Sequence, residues 1–201
     1  MKNYPFFATV SRMKYIHRWA LMRNSRLEDL SEHSLEVAMI AHALCIIGNV
    51  RFGKQLDAER AALIGIYHDA SEIITGDMPT PVKYFSNEIR TAYKDVEALT
   101  NERLLSGLPE DLRDAYAQIL KAQDSEEDRE LRRYVKAADK LSALIKCIEE
   151  ERAGNTEFRT AARTTRESIE EISAELPEVP VFVQEFLPSY GETLDELLDE
   201  V

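Results

Sequence analysis

Four side chains in this 201-residue chain have the types and spacing that suit metal chemistry. His68 and Asp69 are adjacent and follow the apolar stretch Ala61-Ala62-Leu63-Ile64-Gly65-Ile66-Tyr67. A carboxylate among packed apolar residues is costly unless it is paired or bound to a cation. His33 lies 35 residues before His68, and Asp139 lies 70 residues after Asp69, each within its own apolar helical pattern. Two imidazoles and two carboxylates suit one divalent ion, and this donor mix fits Mn, Fe, Co, Ni or Zn better than Ca. An ion with open positions acidifies bound water and neutralises an anionic oxygen, which is the chemistry of metal-assisted hydrolysis.

The elements that must position these groups read as helices. Asp57 is a fitting cap for a helix that carries His68-Asp69 and runs to residue 74. It stops at Thr75-Gly76-Asp77-Met78-Pro79-Thr80-Pro81, where glycine and two prolines prevent continuation. Glu72 is four residues after His68 and three after Asp69, so it projects from their face as a candidate general acid or base. Ser31, or alternatively Ser34, caps a helix over residues 31–49 that places His33 near its start. Apolar residues on both sides of that helix, Val37, Ile40 and Leu44 against Leu35, Met39 and Ile46, predict a central position. His42 is nine steps of about 100° from His33, roughly the opposite side, and is expected to make a structural hydrogen bond in the core. Asp139 borders the stripe Leu131, Val135, Ala138, Ser142 and Ile145. It is either half of an ion pair or a distal ligand, and the company of His33 and His68-Asp69 favours the ligand.

The rest of the chain is helical in pattern, with helices expected over residues 4–18, 87–105, 109–121, 125–153 and 155–176, and short pieces over 177–201. Residues 19–29 are irregular, with Arg18, Arg23 and Arg26 close together. The charge runs 125–133 and 149–152 are expected to be solvated helix faces. Few glycines and prolines and 44% apolar residues predict one all-α domain with a sizeable core. A net charge of -12 disfavours nucleic acid polymers and anionic membranes as ligands. A small anionic substrate is still accommodated, because a local arginine or metal inverts the field in a cleft. Cys45 and Cys147 read as buried reduced thiols. No uninterrupted apolar run predicts a membrane span, and the N-terminus lacks a signal peptide's pattern, so a cytoplasmic protein is expected.

The order H…HD…D resembles the HD-domain superfamily of metal-dependent phosphohydrolases. Four further segments narrow the likeness: Arg18-Trp19-Ala20-Leu21-Met22-Arg23-Asn24, Ser31-Glu32-His33-Ser34, Tyr67-His68-Asp69-Ala70-Ser71-Glu72, and Gly76-Asp77-Met78-Pro79-Thr80-Pro81-Val82-Lys83 with its Tyr84-Phe85 continuation. Together they resemble the bacterial 5'-deoxynucleotidases of the YfbR type over essentially the whole chain. Ala20 departs from the proline usual there, which bears on loop stiffness and not on chemistry. The resemblance implies an all-α, single-domain HD-type helical bundle over residues 1–201. Its metal-site core would span about 28–145, with a helical extension over about 154–201 packed on it.

The resemblance further implies that His33, His68, Asp69 and Asp139 bind one divalent ion, Co2+, Mn2+ or a similar transition metal. Arg18 would orient the substrate phosphate, Trp19 would shape the nucleotide site and Glu72 would assist hydrolysis. Asp77, Met78, Pro79 and Thr80 would line the pocket, with His33, Asp69 and Asp139 bordering the substrate. The implied reaction removes phosphate from deoxyribonucleoside 5'-monophosphates and rejects ribonucleotides, in a homodimer.

The residues themselves leave bland readings open: Arg18 as a surface arginine, Trp19 as a core aromatic, Asp77 as a loop cap. Glu72 could hold a water or protonate the leaving 5'-oxygen. Two competing functions stand beside the main one. One is another HD phosphohydrolase, a cyclic-nucleotide phosphodiesterase or a deoxynucleotide triphosphohydrolase; with four histidines and His42 turned away from His33, a single metal is favoured. The other is a helical interaction protein with a purely structural metal.

Overall fold

The computed structural model describes residues 3–83 and 85–199, with the backbone alone of Thr80. Tyr84 of the segment quoted above lies outside the described residues. Helix α1 (Phe6–Val10) and a 3-10 turn (Ser11–Tyr15) replace the single helix expected over 4–18. Then follow α2 (Leu30–Phe52), α3 (Ala58–Tyr67), α4 (Glu72–Thr75), α5 (Thr80–Lys83), α6 (Asn87–Ser106), α7 (Glu110–Leu120) and α8 (Glu126–Arg152). A 3-10 turn (Thr156–Phe158) leads into α9 (Arg159–Ser173), and α10 (Glu178–Glu185) and α11 (Leu194–Asp199) complete the chain. Among the described residues the one extended pairing is an isolated antiparallel bridge between His17 and Asp29.

The start of α2 is set by Asp29, not by Ser31 or Ser34. Asp29 accepts from the Ser31 and Glu32 amides at 2.8 and 3.0 Å, and Glu32 accepts from the Asp29 amide at 3.2 Å. This reciprocal box satisfies donors that a helix start leaves orphaned. The helix ends where Gly53 takes a left-handed φ of 66°.

Helix α3 opens on Asp57 as expected, with its side chain accepting from the Arg60 amide at 2.8 Å. It closes at Tyr67, so the expectation of a continuous helix to residue 74 is corrected. The reason is local. His68 Nδ1 lies 2.7 Å from the Gly65 carbonyl and competes with the helical ladder there. The next amides bond three residues back, Ala70 to Tyr67 and Glu72 to Asp69, which tightens the chain into a turn before α4.

Helices α2, α3 and α8 form the centre. Val37, Ala41 and Leu44 of α2, Ala61 and Ile64 of α3, and Leu131, Leu141 and Leu144 of α8 are all buried in one cluster. Each fully buried valine, leucine or isoleucine among them contributes about 1.5–3 kcal/mol. Gly65 permits the close crossing of α3 over α2, since a Cβ there would sit 2.8 Å from the Ala38 Cα. Ile169 of α9 and Val179 and Phe182 of α10 join the same cluster from outside.

Helix α2 is long and apolar enough, by length and composition, to cross a membrane. Its buried face is the middle of the bundle, and Glu32, His33, Glu36 and Arg51 punctuate it. It is not covered all round, however. Leu35, Met39, Ile46 and Val50 are exposed. His42 is exposed too, so the expected core hydrogen bond is not there. The angular separation from His33 holds, but the opposite side faces outward.

The two charge runs also need correction, because each hides a buried carboxylate. Asp128 is buried and takes donors from Arg60, Arg132 and the Gln123 amide. Glu150 is buried against Lys146 and accepts from the Ser25 amide and hydroxyl at 2.8 and 2.6 Å and from Asn155 at 2.7 Å. Ser25, Gln123 and Asn155 come from neighbouring loops, Arg60 from α3, and Arg132 and Lys146 from α8 itself, which makes the carboxylates staples and not a solvated face.

Glu150 yields a stability prediction. Burial opposes its charge, but Lys146, Ser25 and Asn155 outweigh that and pull its pKa from 4.5 down to about 2. A depressed carboxyl stabilises the fold fully above its unfolded value and loses that contribution as pH falls through the folded value. Glu150→Gln should therefore destabilise the protein by about 2–3 kcal/mol at pH 7. The difference should shrink between pH 4.5 and about 2, as read by urea unfolding at stepped pH.

Candidate functional site

Three segments converge. His33 comes from the first turns of α2, His68 and Asp69 from the break after α3, and Asp139 from the middle of α8. His33 Nε2 lies 3.3 Å from Asp139 Oδ1 and 3.7 Å from Asp69 Oδ2. His68 Nε2 lies 2.9 Å from Asp69 Oδ2. One donor atom each from His33, His68 and Asp139 fall within 4.8 Å of one another. Atoms sharing one ion at about 2.1 Å are at most about 4.2 Å apart, so small side-chain rotations suffice for joint coordination.

The donor chemistry fits a cation. His33 Nε2 and His68 Nε2 are buried and have no hydrogen-bond partner. A carbonyl only accepts, so His68 Nδ1 carries a proton toward Gly65, and loss of the second ring proton leaves the lone pair on Nε2. His33 Nδ1 meets Ser142 Oγ at 3.0 Å, again leaving Nε2 toward the carboxylates. Two orphaned nitrogens facing two aspartates are what a divalent ion would satisfy. His33, His68, Asp69 and Asp139 are the residues that could hold it.

Electrostatics divide the cluster. Burial and Arg18 push His33 below the ordinary imidazole value. Burial also opposes charge on His68, but Asp69 outweighs it and lifts that ring to about 9, so a cation would displace its proton. Burial works against ionising Asp139, yet His33, Lys140 and His68 hold it well below the usual carboxylate range.

Arg18 is buried beside the cluster, and its NH2 lies 4.0 Å from Asp139 Oδ1. It is not a surface arginine. Its NH1 donates to both oxygens of Glu28 at 3.1 Å, while its Nε is buried without a partner. Glu28 also accepts from Trp19 Nε1 at 2.9 Å. The chain reaches this point through a loop closed at its base by Arg18–Glu28 and Leu30–Ile16 backbone bonds. Arg23 and Arg26 stay outside, exposed and paired with Glu157 and Glu32.

Trp19 is the one non-glycine residue with positive φ among the described residues, at 59°. That backbone costs an L-residue roughly 1–2 kcal/mol and is held by other contacts. Its amide donates to Asp77 Oδ2 at 3.1 Å, its indole donates to Glu28, and its ring packs 5.3 Å from Phe158. Asp77 therefore ties the loop of residue 77 to the loop of residue 19. Met78 and Pro79 are half-buried in the same loop; Thr80 opens α5, and its side chain lies outside the described residues.

Glu72 is buried at the start of α4. Its Oε1 accepts from the Tyr93 hydroxyl at 3.2 Å, and its Oε2 is buried with no partner. Burial, with Asp69 and Asp77, pushes its pKa up to about 8, so it carries a proton at neutral pH. Lys83 packs over the Tyr93 ring at 4.3 Å. Tyr93, Glu28, Ser142 and Glu36 have no place in the sequence reading as site residues. Glu28 lies in an aperiodic loop, and the others sit within ordinary helical patterns, so no spacing marks them. Together these residues could hold a divalent ion, offer an anion a buried guanidinium and supply a proton from Glu72.

A profile of the 5'-deoxynucleotidase YfbR-like family matches residues 5–190. A 5'-deoxynucleotidase of Enterobacter sp. (strain 638) is 48% identical over 198 residues, 98% of this chain and 97% of its own length. The 5'-deoxynucleotidase YfbR of Salmonella typhi is 47% identical over 197 residues, again 98% and 97%. Among solved structures, an HD-domain phosphohydrolase from Listeria innocua matches with a TM-score of 0.77 at 24% identity, covering 97% of this chain and 95% of its own. The cyanophage S-2L HD phosphohydrolase DatZ, bound to dA and one catalytic Zn2+ ion, matches at 0.58 and 15% identity, covering 90% and 96%. Both structures share the all-α, single-domain HD fold seen here. With nearly its whole length matched, the chain belongs to the YfbR-like family of 5'-deoxynucleotidases.

Proposed function

We propose that this protein hydrolyses deoxyribonucleoside 5'-monophosphates to deoxyribonucleosides and phosphate, with one divalent ion held by His33, His68, Asp69 and Asp139. The observation that carries this reading is the pair of buried, partnerless imidazole nitrogens aimed at Asp69 and Asp139, with Arg18 buried alongside. The near-full-length likeness to relatives named 5'-deoxynucleotidases supports the substrate class. The nitrogen and oxygen donors suit Co2+, Mn2+ or a similar transition metal.

When bound, such an ion supplies Lewis-acid activation of water and neutralises phosphate charge. Arg18 does the rest of the anion binding. Glu28 occupies its NH1, which leaves Nε and NH2 to meet phosphate oxygens in a site with little water. A water oxygen bonds to phosphorus as the P–O5' bond breaks, and the leaving 5'-oxygen needs a proton. Glu72 holds one on its partnerless Oε2 and donates it, then regains a proton from solvent. Tyr93 fixes the carboxyl by bonding its other oxygen.

Sugar selection is assigned to Trp19 and the loop of Asp77, Met78, Pro79 and Thr80. An apolar wall rejects an added hydroxyl only about 10²-fold. A backbone locked by the Trp19–Asp77 bond can do more, by leaving a 2'-hydroxyl without room or partner. His33, Asp69 and Asp139 border the phosphate end. The proposal places the enzyme in the cytoplasm, where the free buried thiols Cys45 and Cys147 stay reduced. The net charge of -12 sets nucleic acid polymers and anionic membranes apart as ligands. It is also proposed to be a homodimer, the commonest assembly, which would cover the exposed Leu35, Met39 and Ile46 of α2.

The deciding experiment incubates chelator-stripped protein with dAMP, AMP, dATP and a cyclic nucleotide, with and without Co2+ or Mn2+. Phosphate should appear from dAMP alone and only with metal. Conversion of dATP to deoxyadenosine and triphosphate, or of the cyclic nucleotide to a monophosphate, read by chromatography of the nucleotide products, would move the chain to another HD activity, and no product from any of the four would make the metal structural.

Two variants test the assigned roles. Glu72→Gln should lower kcat by about 10²–10⁴-fold. In the unaltered enzyme kcat should fall as pH rises through the Glu72 pKa, because the acid form is the active one; a flat alkaline limb would remove Glu72 as the proton donor. Trp19→Ala should narrow the dAMP-to-AMP ratio of kcat/KM, by roughly 10-fold or more if the wall supplies its share. An unchanged ratio would place sugar selection elsewhere.

A further inference from the structure

Ser142 is a fully buried hydroxyl in the apolar stripe of α8, one turn beyond Asp139. A buried hydroxyl is costly unless bonded, and this one has two partners. It donates to Glu36 Oε2 at 2.6 Å, and it faces His33 Nδ1 at 3.0 Å. Glu36 in turn sits one turn beyond His33 on α2. The site therefore has an upper layer, His33 and Asp139, and a lower layer, Glu36 and Ser142, built from the same two helices.

A hydroxyl has one proton. With Glu36 ionised and the Ser142 proton directed at it, Ser142 can only accept from His33, so Nδ1 is the protonated nitrogen; burial pushes the Glu36 carboxyl up to about 7, so this direction belongs to the pH range above that value. We propose that Glu36 and Ser142 are positioning residues that lock His33 in the Nδ1–H tautomer and keep its Nε2 lone pair aimed at the metal position. The relay rests on the proposed metal site. The other nearby acceptor cannot replace it in place, since Glu28 Oε1 is 3.7 Å from Nδ1, beyond hydrogen-bond range, and is already held by Arg18. If the relay ran the other way, Ser142 would donate to Nδ1 and the proton would move to Nε2, which then could not ligate. The two helices thus choose which nitrogen is free before any ion arrives.

The test has a readout that needs neither activity nor metal. Long-range 1H–15N spectra of the metal-free protein report the His33 tautomer directly. The unaltered protein should show Nδ1–H, and Ser142→Ala should show a mixture. Zn2+ affinity, measured by competition with a chromophoric chelator, should fall about 10- to 100-fold in Ser142→Ala and in Glu36→Ala. Glu36→Gln, whose amide oxygen still accepts, should stay within about threefold of the unaltered protein. The relay is overturned if Ser142→Ala keeps the His33 tautomer and binds Zn2+ within about twofold of the unaltered protein. If the unaltered protein binds no Zn2+ and releases no phosphate, the proposed function fails, and the tautomer comparison still decides the relay.

Discussion

Two imidazole nitrogens and two carboxylates are confined around one point where α2, α3 and α8 meet. Bringing such groups out of water without a counter-charge is expensive, several kcal/mol per ion even after relaxation. The close crossing at Gly65 and Ala38 brings α3 tightly against α2, the two helices that carry His33 and lead to His68-Asp69. Arg18, Lys140 and the proton on His68 supply part of the missing positive charge. A cation can replace the His68 proton and meet the orphaned nitrogens together, so its binding energy is also folding energy at this point.

The same chain that concentrates negative charge in the site uses carboxylates to hold everything around it. Asp29 and Asp57 cap helices, Asp128 and Glu150 staple loops from inside, and Glu28 and Asp77 take donors from Arg18 and Trp19. The acidic composition is thus partly architectural. Glu150 secures the loop at Ser25 and Arg26, Glu28 secures it from the other side, and Trp19 is left in its left-handed backbone between them. A strained residue held by Asp77 at its amide and by Glu28 at its indole is a device for placing one side chain, here the indole beside Arg18.

This division explains what could be read from the residues alone. His33, His68, Asp69 and Asp139 stood out because a polar side chain in an apolar helical pattern needs a reason, and the structure does bring them together. The pattern of helices was equally open, since it depends on periodicity and on punctuation by glycine and proline. The break after Tyr67 was not, because its cause is one bond from a histidine ring to the Gly65 carbonyl, which no propensity records. His42 was placed on the correct side of α2, but a helix wheel does not say which side the bundle leaves uncovered. Asp128 and Glu150 were lost among charged neighbours, because burial inside a charge run is decided by segments distant in sequence, Arg60 of α3 for one and the loop at Ser25 for the other. Ser142 and Glu36 hid for the opposite reason: one fits an inward stripe as a small residue, the other fits an outward one as a charge.

The arrangement of acids also bears on why Glu72 stands apart from the other carboxylates. Asp139 and Glu72 are chemically similar, yet their surroundings drive them in opposite directions. Asp139 faces two imidazoles and Lys140 and is held ionised. Glu72 faces Asp69, Asp77 and a tyrosine hydroxyl, and is pushed up to about 8. Environments that separate two like groups in this way assign one to hold charge and the other to hold a proton. The turn that ends α3 is what makes the separation possible. A continuous helix would set Glu72 on the same face as His68 and Asp69, where a cation would strip its proton. Starting a new helix at Glu72 instead buries its free oxygen beside the site, with Tyr93 and not an imidazole as its partner.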